Sequence, residues 1–482
     1  MDTPRGNSAV LAMPSFPGGK GNPYTGYATP SITLFTAIFD GLTNLTADGD
    51  FVPALATTWQ QTSPRTWRFQ LRQGVRFSNG EAFDASAIVR AANFLKSPAA
   101  QRYAVLRELS TLETVTQTGP FEIEITTTKP APLLPRTLSA FRIVAPEYWD
   151  TVGPDAFATA PIGTGPFAVS QWNEASITLE RNPGSWRPAA LDKLTILRLP
   201  DASVRFQTLT SGDVDIAMTL SPEDQDLLNA SGFTLKPVRA PNIIVFTFIT
   251  EKPHPIQDPR VRRALNMAID REAVIDVFLG GIPDVPSQPA LDMAFGYNET
   301  LAPLPYDPVA AKALLAEAGY GAGFDMTIEV LIGASTNDVP IFQQIFSDLK
   351  QIGVRVNPQI ITLAQLVSGI GSGQWRGQGF LLDYNMLPAM DAVSVMPIHS
   401  CLRRIAWHCQ DALMPLTQQI YAAENVEERA ALTRALMAAL RDNPPALMLY
   451  EAVSFTGLAP RIASFKAGFG VIDYEDIRVA GF

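Results

Sequence analysis

PALATTWQQTSPRTWRFQLRQGVRFSNGEAFDASAIVRAANFL, from Pro53 to Leu95, is the stretch on which the reading of this chain turns. Pro-Ala-Leu-Ala reads as a turn into Trp59. A strand of period two follows, with Trp67, Phe69 and Leu71 on one face and Arg68 and Gln70 on the other. Gln73-Gly74, a short strand Val75 to Phe77 and an Asn79-Gly80 turn come next, and a helix opens at Asp84.

Working outward, the first residues predict a strand (Ala9 to Met13), a loop rich in Gly, Pro and Tyr (Pro14 to Pro30) and a helix from about Ser31 to Leu42. Beyond Leu95, Phe121, Ile123 and Ile125 alternate with Glu122 and Glu124, the mark of a strand with one wet face. In PIGTGPFAVSQW (Pro161 to Trp172), Gly163 and Gly165 allow close backbone approach or positive φ. IIVFTFI after Asn242 suits a fully buried strand. Asp258-Pro259 and Asp307-Pro308 each start a helix, because the carboxylate caps free N–H groups and proline at the first helical position gives up no bond. Gly319 ends the second of these. Asp325 to Leu363 reads as strand, helix, strand, hence parallel strands with a right-handed crossover. Helices about Asp411 to Ala423 and Val426 to Arg441 precede the strand ALMLYEAVSF. The glycines of GIGSGQWRGQG (Gly369 to Gly379) read as a loop, and no internal repeat is visible.

A chain of 482 residues is too long for one core and suggests two or three domains. With 17% charged and 46% apolar residues it is an ordinary globular chain, and its net charge of −10 argues against nucleic acid or an anionic membrane as partner. No apolar run approaches the ~20 residues that cross a bilayer. The N-terminus lacks the basic and apolar regions of a signal peptide. G-x-S-x-G, H-E-x-x-H, Walker A and C-x-x-C motifs are absent, and any triad would have to use His254, His399 or His408, none in a recognisable setting.

The order of elements from Pro53 to Leu95 resembles the family 5 extracytoplasmic solute-binding proteins, receptors of dipeptide, oligopeptide and nickel ABC importers. Asn182-Pro-Gly-Ser-Trp186 resembles the family's turn after a long strand. LTSGDVDI (Leu209 to Ile216) resembles its Leu-x-x-Gly-x-Val/Ile-Asp segment, with Asp215 read as a cap. The resemblance runs from about Phe39 to the C-terminus. It implies a two-lobed α/β periplasmic-binding-protein fold (Venus flytrap) with an extra α+β subdomain in the first lobe. Residues 1–50 and 161–246 would form lobe 1, 51–160 the extra subdomain, 247–450 lobe 2, and 451–482 the return to lobe 1, with two hinge crossings. It also implies a monomeric periplasmic receptor, its signal peptide removed ahead of a polar start at Asp2. Such a receptor captures a small ligand between lobes and hands it unchanged to a membrane permease, with no catalysis and no cofactor.

Under that resemblance several residues become ligand candidates. In GFLLDYNMLPAMD, Asp383-Tyr384-Asn385 looks like the motif whose strand pairs with a peptide ligand and whose aspartate meets the ligand's ammonium. The insertion of Met386 to Met390 before Asp391 leaves either aspartate open to that role, and Asp391 also reads as a helix cap. Tyr24, and less so Tyr27, sit in the loop where the first lobe contributes to the cleft. In HSCLRRIAWHC, His399, Cys401, His408 and Cys409 could form a zinc site, but adjacent side chains rarely both reach one ion. A Cys401–Cys409 disulfide is the simpler reading in an oxidising compartment, with free thiols as the other alternative. A loop so pinned would offer Arg403 and Arg404 to a carboxylate and Trp407 to stacking. The ligand expected is a short peptide, an opine-like compound or another amino-acid conjugate. The alternatives are an oligosaccharide stacked on Trp375, Trp407, Tyr384 and Tyr24, a nickel or metallophore complex, and, from another class, a two-lobed hydrolase or a sensor.

Overall fold

The structure, a computed structural model, describes residues 6–26, 29–333, 337–399 and 401–481. The chain divides into two compact units: Met1–Val238 with Ala423–Val426 and Ser454–Phe482, and Arg239–Ala422 with Glu427–Val453. Two of the passages between units, at 238/239 and 453/454, lie inside unbroken strands, Thr234–Phe248 and Ala446–Leu458. The first passage falls earlier than the 246/247 boundary read from sequence. The strand begins at Thr234, ahead of its apolar run, and Pro237 and Pro241 disguise that early portion.

In the first unit, Ser8–Met13 lies parallel to both Lys193–Arg198 and Ile216–Leu220. Ser176–Arg181 and Phe167–Trp172 extend this sheet antiparallel, and Phe455 to Leu458 from the far end of the chain pairs with Ile216–Leu220. The quoted stretch supplies the first two strands of a separate four-stranded antiparallel sheet in the order Ala56–Ser63, Thr66–Leu71, Glu122–Thr127, Leu112–Gly119. As the alternation requires, Trp67, Phe69 and Leu71 are buried while Arg68 and Gln70 are exposed. The helix Ala85–Lys96 starts where Asp84 accepts the Ser86 N–H at 2.8 Å, and buries Ala87, Ile88, Ala91, Ala92 and Leu95.

The helix read over Ser31 to Leu42 is only Thr29–Phe35. Beyond it the backbone carbonyls serve another strand: Gly165 and Phe167 donate to Ile38 and Ala37 at 2.9 and 3.0 Å, and Ile143 donates to Asp40 at 3.0 Å. Close approach, not positive φ, accounts for the two glycines of PIGTGPF. A Cβ on Gly163 would meet the Ile38 carbonyl oxygen at 2.1 Å, and one on Gly165 the Ile38 carbonyl carbon at 2.6 Å.

Beside that junction the fully buried Asp40 carboxylate accepts from Arg187 Nε (2.8 Å), Trp186 Nε1 (3.0 Å), Thr164 Oγ1 (2.8 Å) and Asn44 Nδ2 (2.8 Å). Arg187 also donates to the Thr36 carbonyl at 2.6 Å and pairs with Glu475 at 2.9 Å. Asp215 is not a helix cap; it accepts the Val10 N–H at 2.8 Å and pairs with Arg461 at 3.0 Å.

The second unit is α/β. Phe324–Val330 and Val354–Ile360 run parallel, joined through the helix Asp338–Gln351, whose Ile341, Phe342, Ile345 and Leu349 are buried. Asp258 and Asp307 cap Pro259–Met267 and Pro308–Glu317, each accepting a backbone N–H at 2.8 Å. The glycine tract is not all loop: Gly369 and Gly371 belong to the helix Leu363–Ser372, which Gly373 ends at φ +70°. Gly369 is required there because a Cβ would lie 2.6 Å from the Trp375 ring.

Burial alone would raise the Asp40 pKa, but Arg187 and the hydrogen-bond donors outweigh it and hold the carboxyl below its usual range. The stability it contributes is therefore present above the ordinary carboxylate range and is lost as pH falls through the depressed value. Asp40→Ala leaves Arg187 buried beside a vacancy, and we expect a loss of about 3–5 kcal/mol in urea unfolding at pH 7, shrinking towards acid pH.

Candidate functional site

The strand Gly379–Asn385 carries the residues read as a ligand motif. It pairs antiparallel with Asn242 to Phe248 over its whole length, but with the parallel strand Phe324–Val330 only at Gly379 and Phe380. Backbone groups alternate sides in such a pair. Met386 N–H to Pro241 O at 2.9 Å and Ile249 N–H to Gln378 O at 2.8 Å fix the phase, so the even-numbered residues bond to the neighbouring strand. Asp383 and Asn385 therefore turn their backbone groups to the other edge, beyond Leu381, where the parallel ladder ends. An extended ligand with amide groups can pair there by adding a strand.

Asp383 stands in the middle of that edge. It is half-buried, and burial pushes its carboxyl above the usual range; the opposing stabilisation comes from its own backbone N–H. No cation pairs with it among the described residues. The site thus holds a desolvated carboxylate with no cation beside it among the described residues.

The neighbours differ. Asn385 uses Oδ1 to accept the Leu387 N–H at 2.8 Å, holding the turn into Pro388. Tyr384 is fully buried on the opposite face, its hydroxyl beside Thr247. Asp391 is occupied twice: it caps the 3₁₀ turn Ala392–Val395 through the Val393 N–H at 3.2 Å and forms a buried ion pair with Arg429 at 2.7 Å. That pairing leaves Asp383 as the aspartate with an uncommitted carboxylate.

Cys401 and Cys409 form a disulfide. The loop it closes turns Trp407 and His408 inward, with Leu402 and Arg404 exposed. Trp407 is buried against Phe380 and Trp375, at ring distances of 5.1 and 6.2 Å, and Trp375 stacks on Phe380 at 3.6 Å. Arg403 lies over the Trp407 ring at 4.3 Å and donates to the Ile370 carbonyl at 2.6 Å, so it is committed to holding the loop. Arg404 alone of the loop's two arginines is exposed. His408 is buried, with Nδ1 3.1 Å from Thr250 Oγ1 and Nε2 receiving the Gln410 amide at 2.7 Å, which makes the Nδ1–H tautomer the donor to Thr250.

Tyr24 is a core residue of the first unit. Its fully buried ring packs among Trp149, Phe94 and Tyr103 at 5.4, 6.1 and 6.4 Å, which corrects its reading as a ligand wall. Tyr27 and the side chain of His399 lie outside the described residues.

One charged group was missed. Glu451, buried in the strand Ala446–Leu458, pairs at 2.9 Å with Arg239, which also holds Asp292 at 2.7 Å. Burial raises the Glu451 carboxyl to about 7 against the pull of Arg239. The signal was a lone glutamate interrupting the apolar run ALMLYEAVSF.

Residues 50–382 match the model of the bacterial extracellular solute-binding proteins, family 5 Middle. The chain is 27% identical to heme-binding protein A of Haemophilus influenzae over 473 residues, covering 90% of this chain and 85% of that protein. It is 28% identical to the glutathione-binding protein GsiB of Salmonella paratyphi A over 365 residues, covering 73% and 70%. Among solved structures, the periplasmic binding protein DppA of Helicobacter pylori, in complex with the peptide STSA, superposes with a TM-score of 0.79 at 22% identity over 98% of each chain. That likeness establishes the two-lobed fold.

Burial holds the His408 ring neutral, lowering its pKa from 6.5 to about 3, with a further push from Arg262. A depressed pKa contributes stability above the unfolded value that is lost as pH falls towards the folded one. Urea midpoints of the protein should therefore drop between pH 6.5 and 4, and His408→Gln should flatten that part of the curve. Parallel curves for the two proteins would mean that the ring titrates normally.

Proposed function

This chain belongs to the family 5 bacterial extracellular solute-binding proteins, the substrate receptors of ABC importers, and we propose that it captures a small zwitterionic solute such as a short peptide or an amino-acid conjugate. The observation that carries this reading is Asp383: a half-buried carboxylate with no cation among the described residues, on a strand edge beyond the end of the parallel ladder. A ligand ammonium provides the missing counter-charge, and a charge-assisted hydrogen bond in a desolvated setting gives both orientation and energy. The ligand's amide groups take up the C=O of Asp383 and the N–H and C=O of Asn385 in the manner of an added strand.

The oligosaccharide alternative needs exposed aromatic platforms. Trp375, Trp407, Tyr384 and Tyr24 are all buried by their own neighbours, so that reading has no observation in its favour. For a metallophore receptor, the one cluster of ligating groups found among the described residues lies at the disulfide, away from the Asp383 strand in sequence. Among the described residues no helix is long and apolar enough to cross a membrane. We take the protein to act as a monomer in the periplasm after removal of a leader, delivering its ligand to the permease without chemical change.

Asp383→Asn should weaken binding of di- and tripeptides by about ten-fold or more while leaving the melting temperature of the free protein unchanged or raised, since an uncompensated buried charge is removed. N-acetylating the peptide should cost a similar factor in the wild type and little further in Asp383→Asn, because both changes delete one contact. Additive losses by calorimetry would separate Asp383 from the ammonium and sink the assignment.

A further inference from the structure

The loop closed by Cys401 and Cys409 contains a geometry that its disulfide conceals. Asp411 Oδ1 lies 3.4 Å from Cys401 Sγ and 3.3 Å from Cys409 Sγ, so one exposed carboxylate oxygen faces both sulfurs at once. Metal–thiolate and metal–carboxylate bonds of about 2.3 and 2.1 Å at a tetrahedral angle place sulfur and oxygen about 3.6 Å apart. The two sulfur–oxygen distances already approach the edges of such a tetrahedron. The Cα atoms of the cysteines are 4.8 Å apart, so rotation about Cα–Cβ is enough to separate the sulfurs onto two corners. His408 does not complete the set, since both ring nitrogens are engaged with Thr250 and Gln410. Both cysteines are partly exposed, so solutes reach the site.

We propose that Cys401, Cys409 and Asp411 form a divalent soft-metal site in the reduced protein, so that a metal crosslink replaces the covalent one and the loop stays pinned in either redox state. In the first step a dithiol passes two electrons and two protons to the disulfide: the sulfur–sulfur bond breaks, two protein thiols form, and the reductant becomes a cyclic disulfide. In the second step a zinc-like cation binds both sulfurs and the Asp411 carboxylate, releasing the two thiol protons. Solvent fills the fourth position. Asp411 is the residue that distinguishes a built site from a casual pair of thiols, because it is already placed against both sulfurs while they are still bonded to each other.

Cobalt(II) is the probe. The full chain is reduced with a water-soluble phosphine, which leaves as its oxide, desalted without oxygen, and titrated. We expect thiolate-to-cobalt charge-transfer absorption at one ion per chain, its displacement by zinc, and no such band from the oxidised protein. Asp411→Asn, reduced to the same thiol count, should bind at least about ten-fold more weakly, since losing a direct ligand costs no less than losing an outer partner, and Asp411→Glu should recover part of that loss. Zinc should also shield both thiols from alkylation. A reduced wild-type protein without the cobalt band, an Asp411→Asn protein with unchanged affinity, or a fold lost on reduction that zinc does not restore would each overturn the proposal.

Discussion

The seven-residue antiparallel ladder between Asn242–Phe248 and Gly379–Asn385 is the constraint on which the proposed binding site depends. Strand side chains alternate faces, so a slip of one residue would exchange the solvent and core sets along the whole strand. In the observed register, Phe380 and Tyr384 are buried on one face, while Asp383 shares the other with Leu381. The same register decides which backbone groups are spent within the sheet and which face outward. Charge and free amide groups are thus placed together by one choice of pairing, without any loop having to be positioned separately.

Among the described residues, the buried charges that follow are each answered by a counter-charge or by hydrogen-bond partners, which is what makes Asp383 conspicuous. Asp40 has Arg187 and three neutral donors, and Asp391 has Arg429. Arg262 is surrounded by the carbonyls of Ile256, Gln257 and Pro444 and the side chain of Asn443, and Arg271 by the Asn266 and Met448 carbonyls. Arg205 likewise donates to four carbonyls, those of Leu199, Pro200, Met218 and Thr219. These arginines tie together chain ends that would otherwise hold unmet acceptors, and burial lowers their pKa values in consequence. Under the proposed function, the carboxylate left out of such arrangements takes its partner from the ligand.

What was legible in the sequence was local. Asp84, Asp258 and Asp307 each cap the helix they precede, and the alternation at Trp67, Phe69 and Leu71 gave the correct buried face, because caps and strand periodicity need only a few neighbouring residues. The site was legible only in part. Asp391 meets Arg429 across 38 positions, and no spacing rule connects them. Tyr24 and Trp407 could be recognised as aromatic but not as core, since their burial is set by Trp149 and Phe380, residues far along the chain. The helix after Phe35 stopped short because its would-be acceptors were claimed by Gly165 and Phe167, a competition invisible within the segment itself.

The first unit is assembled from both ends of the polypeptide: Phe455 to Leu458 completes its sheet, and Glu475 closes the cage around Arg187. A ribosome makes those residues long after the strand and ion pair they complete. Until they emerge, Ile216–Leu220 has an open edge and the Asp40 pair lacks its outer carboxylate, so the nascent first unit stays unsealed. A polypeptide arranged in this way remains threadable until that late strand arrives.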